Sequence, residues 1–263
     1  MLRAIWGELP AENIIYLADQ VHVPYGSRSA DEVRSFSKEI TQYLLDQGAK
    51  LIVVACNTAS AAALHYLRQT FAGLSFVGME PAVKPAAEHT HSKVVGVLAT
   101  PATFQGELYA SVVERFASDV KIIQHTCPRL VMQIEAGHLQ TPETRLILEA
   151  ALEPMVSQGI DTVVLGCTHY PFVIPLIQQI VGPGVRVIDP APAVARQVRR
   201  LLETRKLLYI NGTLLEQTRG RTDFISTGSE NQLQSILTNL LNIHTDVRRI
   251  SWKQSDTNWI LRN

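Results

Sequence analysis

Short runs of aliphatic and β-branched residues alternate along this chain with longer stretches whose apolar positions recur every three or four residues. The short runs read as buried strands and the periodic stretches as amphipathic helices. Leu2, Ile5, Trp6 and Leu9 stand at helical spacing, Pro10 closes that helix, and residues 13–18 follow as a strand. Residues 19–28 (DQVHVPYGSR) form a loop with turn residues at Pro24 and Gly26. Ser29 and Glu32 make a capping box ahead of a helix whose buried stripe is Val33, Phe36, Ile40 and Leu44 and which ends at Gly48. Further strands are predicted at 51–55, 75–78, 94–99, 120–124, 162–165 and 185–189. Helices are predicted at 58–69, from Glu80-Pro81 onward, and at 101–116, 142–158 and 191–203; Thr100 and Thr141 each precede a proline as an N-cap would. The last sixty residues read as two or three strands and a helix at 229–241. Such alternation predicts an α/β fold with mostly parallel sheets.

Two of these units share a plan. Residues 161–171 (DTVVLGCTHYP) give a buried strand, Gly166, then Cys167, Thr168 and His169 where a helix opens near Tyr170-Pro171. Residues 51–58 (LIVVACNT) give a buried strand, a small residue, Cys56, then Asn57 and Thr58 at the start of an alanine-rich helix. Turns at the carboxyl ends of parallel strands are where open α/β sheets bind ligands, and helix N-termini there favour anions, thiolates included. Two copies predict two similar domains: residues 1–79 with 190–263, and residues 80–189.

Composition narrows the partners. Lys+Arg and Asp+Glu both number 24, so no net basic field points to nucleic acid. No apolar run reaches the roughly 18 residues that span a bilayer, and no signal-peptide core follows Met1-Leu2-Arg3. The chain is therefore expected in the cytoplasm, off the membrane, with reduced cysteines. Cys56, Cys127 and Cys167 lack zinc-site spacing, and no metal is expected.

A single cysteine at a strand end is ordinarily a small buried hydrophobe. Two in matching contexts, each beside a threonine and a second polar residue, suit removal of a proton from one face of a carbon and its return to the other. Asn57, Thr58 and Thr168 are donors able to hold a carboxylate or ammonium group, and His169 is placed to polarise Cys167 or take its proton. The Tyr25-Gly26 turn offers backbone N–H groups to a carboxylate, or is simply a turn. Glu135 is either an acid–base partner or a solvated helix-end carboxylate. Cys127, in HTCPRL, lacks the strand–Cys–Thr pattern and reads as structural, away from the paired thiols.

Taken together, VACNTASA, LGCTHYP, the PYG loop and CPRLVMQIEAG resemble the glutamate racemases, within the cofactor-independent aspartate/glutamate racemase superfamily. The resemblance covers nearly the whole chain. It implies two α/β domains with the active site in the cleft between them and Cys56 and Cys167 as the catalytic pair. It also implies substrate binding by Tyr25-Gly26, Asn57-Thr58 and Thr168-His169, with Glu135 and His169 assisting the second cysteine. Glutamate as substrate, no cofactor, a homodimer and a supply of D-glutamate for peptidoglycan follow from the same resemblance. One departure stands at the N-terminus, where the family opens with a strand and a D-S-G loop whose aspartate assists the first cysteine. Here the helix at residues 2–9 comes first, so the chain as given is expected to be impaired in activity and stability. A related racemase acting on aspartate or another acid, and an inactive binding protein, remain as alternatives.

Overall fold

In the computed structural model, residues 1–209, 219–255 and 258–262 are described. The chain divides into two compact units: one of Met1–Ala55, Ala62–Gly78 and Ala191–Asn263, the other of Cys56–Ala61 and Met79–Pro190. The tail, Ala191–Asn263, falls in the first unit, and the short segment Cys56–Ala61 groups with the second.

The first unit opens with α1 (Leu2–Glu8), β1 (Ile14–Ala18), α2 (Ala30–Asp46) and β2 (Leu51–Val53). The Ser29/Glu32 capping box ahead of α2 is present in both directions, satisfying two backbone donors at that helix start. Then α3 (Asn57–Thr70) leaves and rejoins the unit before β3 (Ser75–Val77).

The second unit holds α4 (Val83–His89), β4 (Val94–Ala99), α5 (Pro101–Gln105), α6 (Glu107–Phe116) and β5 (Lys121–His125). It continues through α7 (Leu130–Glu135), α8 (Pro142–Val156), β6 (Thr162–Gly166), α9 (Ile174–Val181) and β7 (Arg186–Ile188). Its sheet is fully parallel in the order β5-β4-β6-β7. Every residue of β6 is buried, because helices cover both faces of such a sheet. Val83, Ala86, Val95, Val97, Tyr109 and Val164 pack into one apolar cluster on it.

The first unit is completed by α10 (Ala191–Thr204), β8 (Thr222–Ser226), α11 (Glu230–Leu241), β9 (Val247–Arg249), β10 (Ser251–Ser255) and β11 (Asn258–Arg262). Its parallel strands fall into two sheets, β1-β8-β9 and β2-β3, and β10-β11 is an antiparallel hairpin. Among its described residues the tail thus carries four strands where two or three were expected, and 210–218 lies outside the described residues.

The helix expected over 101–116 is broken in two. Gly106 is extended (φ −73°, ψ 135°), and a Cβ there would meet the Ala61 Cβ at 2.8 Å. Close approach of α3 excludes a side chain at this point, and the backbone bends instead. Likewise, the helix expected from Tyr170 begins as a 3-10 turn, Tyr170–Val173, before α9 starts. Among the described residues, no helix is long and apolar enough to cross a membrane.

Asp161, immediately ahead of β6, ties the loop between α4 and β4 to that strand. Its carboxylate accepts from the Thr90 hydroxyl (2.7 Å) and from the backbone N–H groups of His91 (2.6 Å) and Ser92 (2.7 Å). Burial raises its pKa, but the Ser92, Thr90 and His91 donors outweigh that and draw it down to about 2. A carboxyl depressed in the folded state stabilises above its unfolded value, near 3.8, and that stabilisation is lost as pH falls through about 2. Asp161→Asn is expected to cost about 1–2 kcal/mol at neutral pH, discounting for partial exposure. It should also flatten the loss of stability between about pH 4 and pH 2. Urea unfolding as a function of pH checks both.

Candidate active site

The buried run Thr162–Gly166 carries the chain to the carboxyl end of the central strand pair and there presents Cys167. Gly166 allows this: a Cβ there would lie 2.7 Å from the Ala99 Cβ and 3.1 Å from the Leu98 oxygen. Only a glycine lets β6 run this close to β4 before the turn. Cys167 is buried (8% exposed). Its carbonyl accepts the Tyr170 backbone N–H at 3.2 Å, which curls the turn so that His169 comes back toward the sulfur.

The His169 Nδ1 lies 3.9 Å from the Cys167 Sγ, and its Nε2 lies 3.0 Å from Glu135 Oε1 at the end of α7. Burial lowers the imidazole pKa, but the contacts with Cys167 and then Glu135 more than reverse this and raise it to about 9. Near neutral pH the ring is therefore an imidazolium. One N–H is directed at the sulfur and the other at the carboxylate. The Glu135 carboxylate is thus a partner of His169 rather than a solvated helix-end group.

Cys56 lies at the start of α3, where the Ala59 N–H donates to its Sγ at 3.5 Å and Ser60 N–H to its carbonyl at 2.9 Å. Burial pushes its thiol pKa up, the Ala59 N–H opposes this, and negative charge on Cys167 raises it again. Charge on Cys167 therefore disfavours ionisation of Cys56.

Asn57 (3% exposed) and Thr58 (6% exposed) follow Cys56 into the same unit. Both polar atoms of the Asn57 side chain are buried without a hydrogen-bond partner among the described residues. An unpaired buried amide is expensive, about 1–3 kcal/mol for each group left unmade, and marks a place where a polar ligand would bind. The Thr58 hydroxyl joins those of Thr100 (3.0 Å) and Thr103 (3.5 Å). Thr100 reads in the sequence only as a helix cap, and Thr103 carries no signal beyond its T-x-x-T spacing at the end of β4. Thr168 is half-buried beside Cys167.

Tyr25 and Gly26 belong to the first unit, in the 3-10 turn Tyr25–Ser27, with the Tyr25 hydroxyl donating to Asp19 at 2.7 Å. Cys127, expected to lie away from the paired thiols, is buried yet within electrostatic reach of Cys167. Burial first, and that charge second, push its pKa up to about 12.

The Asp/Glu/hydantoin racemase family model matches residues 1–198. The chain is 48% identical over 247 residues, 94% of its length and 92% of the relative's, to a glutamate racemase of Ectopseudomonas mendocina. It is 50% identical over 214 residues to one of Roseiflexus, covering 81% of this chain and 79% of that one. Among solved structures it resembles the Thermus thermophilus glutamate racemase in complex with β-chloro-D-alanine, with a TM-score of 0.80 and 35% identity over 95% of this chain and 91% of that one. It also resembles the Francisella tularensis glutamate racemase in complex with D-glutamate, with a TM-score of 0.80 and 26% identity over 95% of this chain and 92% of that one.

The imidazolium generates a test of the site's electrostatics. In an NMR titration His169 is expected to lose its proton near pH 9, and in Glu135→Gln at a lower pH, because one of the groups that hold the proton is neutralised. Since the raised value belongs to the folded state, the contact stabilises the fold below about pH 6.5, and the gain fades as pH rises through about 9. The difference in melting temperature between parent and Glu135→Gln should shrink over that window.

Proposed function

The chain belongs to the Asp/Glu/hydantoin racemase family, and on that premise we propose that it interconverts L-glutamate and D-glutamate with Cys56 and Cys167 as its two bases. The observation that carries the reading is the placing of Cys56 and Cys167 in one compact unit, each following a parallel strand, with charge on Cys167 opposing ionisation of Cys56. Racemisation needs this asymmetry. One sulfur, as thiolate, takes the α-proton from one face of the carbon; the other, as thiol, delivers a proton to the opposite face. The reverse reaction starts from the opposite protonation state, so neither role belongs to one residue permanently.

His169 answers the change of charge at Cys167. An imidazolium N–H directed at sulfur stabilises the thiolate, and Glu135 on the far nitrogen keeps the ring oriented and charged. The Asn57 amide, with Thr58 and Thr168, supplies donors for the substrate's polar groups, and the Tyr25-Gly26 turn supplies backbone N–H groups for a carboxylate. The same family assignment supports a cytoplasmic homodimer whose D-glutamate enters peptidoglycan.

The deciding experiment follows racemisation of both glutamate enantiomers, with aspartate and other amino acids as a panel, and solvent deuterium exchange at the α-carbon. Cys56→Ser and Cys167→Ser are each expected to slow racemisation by about 10²–10⁴-fold. Each should lose exchange from one enantiomer preferentially, and the two should lose opposite ones. Cys127→Ser is expected to stay near the parent rate. Equal loss for both enantiomers in both variants would sink the two-base assignment, and a preference for another acid in the panel would replace the substrate.

A further inference from the structure

Asp19, in the first unit, is bonded through both of its carboxylate oxygens. It is 8% exposed and stands just after β1, at the start of the loop that leads to the Tyr25-Gly26 turn. Four donors converge on its carboxylate. Oδ2 accepts from the Tyr25 hydroxyl at 2.7 Å and from His22 Nδ1 at 2.9 Å. Oδ1 accepts from the Thr227 hydroxyl at 2.8 Å and from the Trp252 indole N–H at 2.8 Å. A carboxylate has about four lone-pair sites, and here each is taken by a protein donor. This group therefore has nothing left with which to bind substrate or take its proton.

The donors come from opposite ends of the chain. Tyr25 and His22 are in the loop itself, 6 and 3 residues from Asp19, whereas Thr227 and Trp252 are 208 and 233 residues away. Trp252 is on β10, the first strand of the C-terminal hairpin, whose partner β11 packs on α2. The family match ends at residue 198, so both distal donors lie beyond it.

Aromatic packing reinforces the link. The His22 ring stacks on Phe36 with centroids 3.7 Å apart and planes 6° from parallel, and Trp252 meets both edge-on at 4.9 and 5.7 Å. Thr227 also accepts the Val21 N–H at 3.2 Å, and Arg28 Nε donates to the His22 carbonyl at 3.2 Å. Buried His22 is thus pinned between exposed Val21 and Val23. A loop with this little apolar cover of its own is held from inside, through a single carboxylate.

We propose that Trp252, with Thr227, is a positioning residue for the Tyr25-Gly26 turn, acting through Asp19, so that the C-terminal hairpin sets how well substrate is bound. This rests on the substrate-binding role assigned above to that turn. A turn held in its binding geometry before substrate arrives loses less freedom on binding, so loosening it weakens binding more than it slows the chemical step.

The test compares the full chain with Trp252→Phe, which keeps a ring in the cluster and removes the indole N–H, and with Thr227→Val, which removes the other donor to the same oxygen. Two readouts are taken: amide hydrogen exchange over residues 19–28, and kcat and KM for each glutamate enantiomer. Faster exchange confined to 19–28 is expected in both variants. KM should rise about three- to tenfold for both enantiomers while kcat stays within about twofold. Thr227→Ser, which retains the hydroxyl, should return both readouts to parent values. If Trp252→Phe fails to fold, Thr227→Val and Thr227→Ser decide alone. Parent-like exchange in the variants, or a loss confined to kcat, overturns the proposal. Failure of the activity reading would show differently: the parent would not racemise glutamate, while exchange over 19–28 would still report whether the hairpin holds the loop.

Discussion

An ionisable sulfur can stand at the end of a fully buried strand only if the protein supplies the charge and the donors that water would otherwise provide. Cys167 meets that constraint through His169, whose imidazolium N–H faces the sulfur and whose other nitrogen is anchored on Glu135. Each preceding step serves this arrangement. The buried side chains of β6 lock it into the sheet, Gly166 lets it pass against Ala99, and the 3-10 turn at Tyr170 folds the histidine back. Had a regular helix begun at Tyr170, its dipole would have been the main source of positive charge. The structure uses a titratable ring instead, which can change its charge as the sulfur changes its own.

The second thiol is handled differently. Cys56 has a backbone N–H from the first turn of α3 and no imidazole relay among the contacts described, so burial and the charge on Cys167 raise its pKa. The Cys56 and Cys167 sulfurs thus stand in unlike surroundings, and charge on the second opposes ionisation of the first. The Asn57 amide beside them carries the complementary cost, two buried polar atoms kept unpaired within the protein. Stability is given up at that point in a form that a polar ligand restores.

The first unit fixes one of its loops through a single side chain. Its loop from Asp19 to Arg28 has few apolar contacts of its own and is ordered by one saturated carboxylate and a small aromatic stack. The groups that complete this hub come from the last part of the chain, after α10 has returned to the unit. Sequence neighbours thus define the loop, and residues more than two hundred positions away hold its shape.

Local pattern by itself determined much of this protein. The alternation of buried runs with helical stripes established an α/β fold with parallel strands, the Ser29/Glu32 capping box located the start of α2, and the two strand–small–Cys units marked the thiols with Asn57, Thr58 and Thr168. These were legible because strand burial, capping and turn chemistry act over fewer than about ten residues. Tertiary structure decided what depends on surfaces meeting. The break at Gly106 exists because Ala61 approaches it, and no periodicity within 101–116 records that neighbour. Glu135 passed from an ambiguous helix-end carboxylate to the anchor of His169 only when α7 packed beside the turn after β6. Cys127 came within the field of Cys167, and Trp252 reached Asp19, by the same kind of long-range packing. Hydrogen bonds and fields act across space, so residues far apart in the chain acquire their chemistry only once the backbone has brought them together.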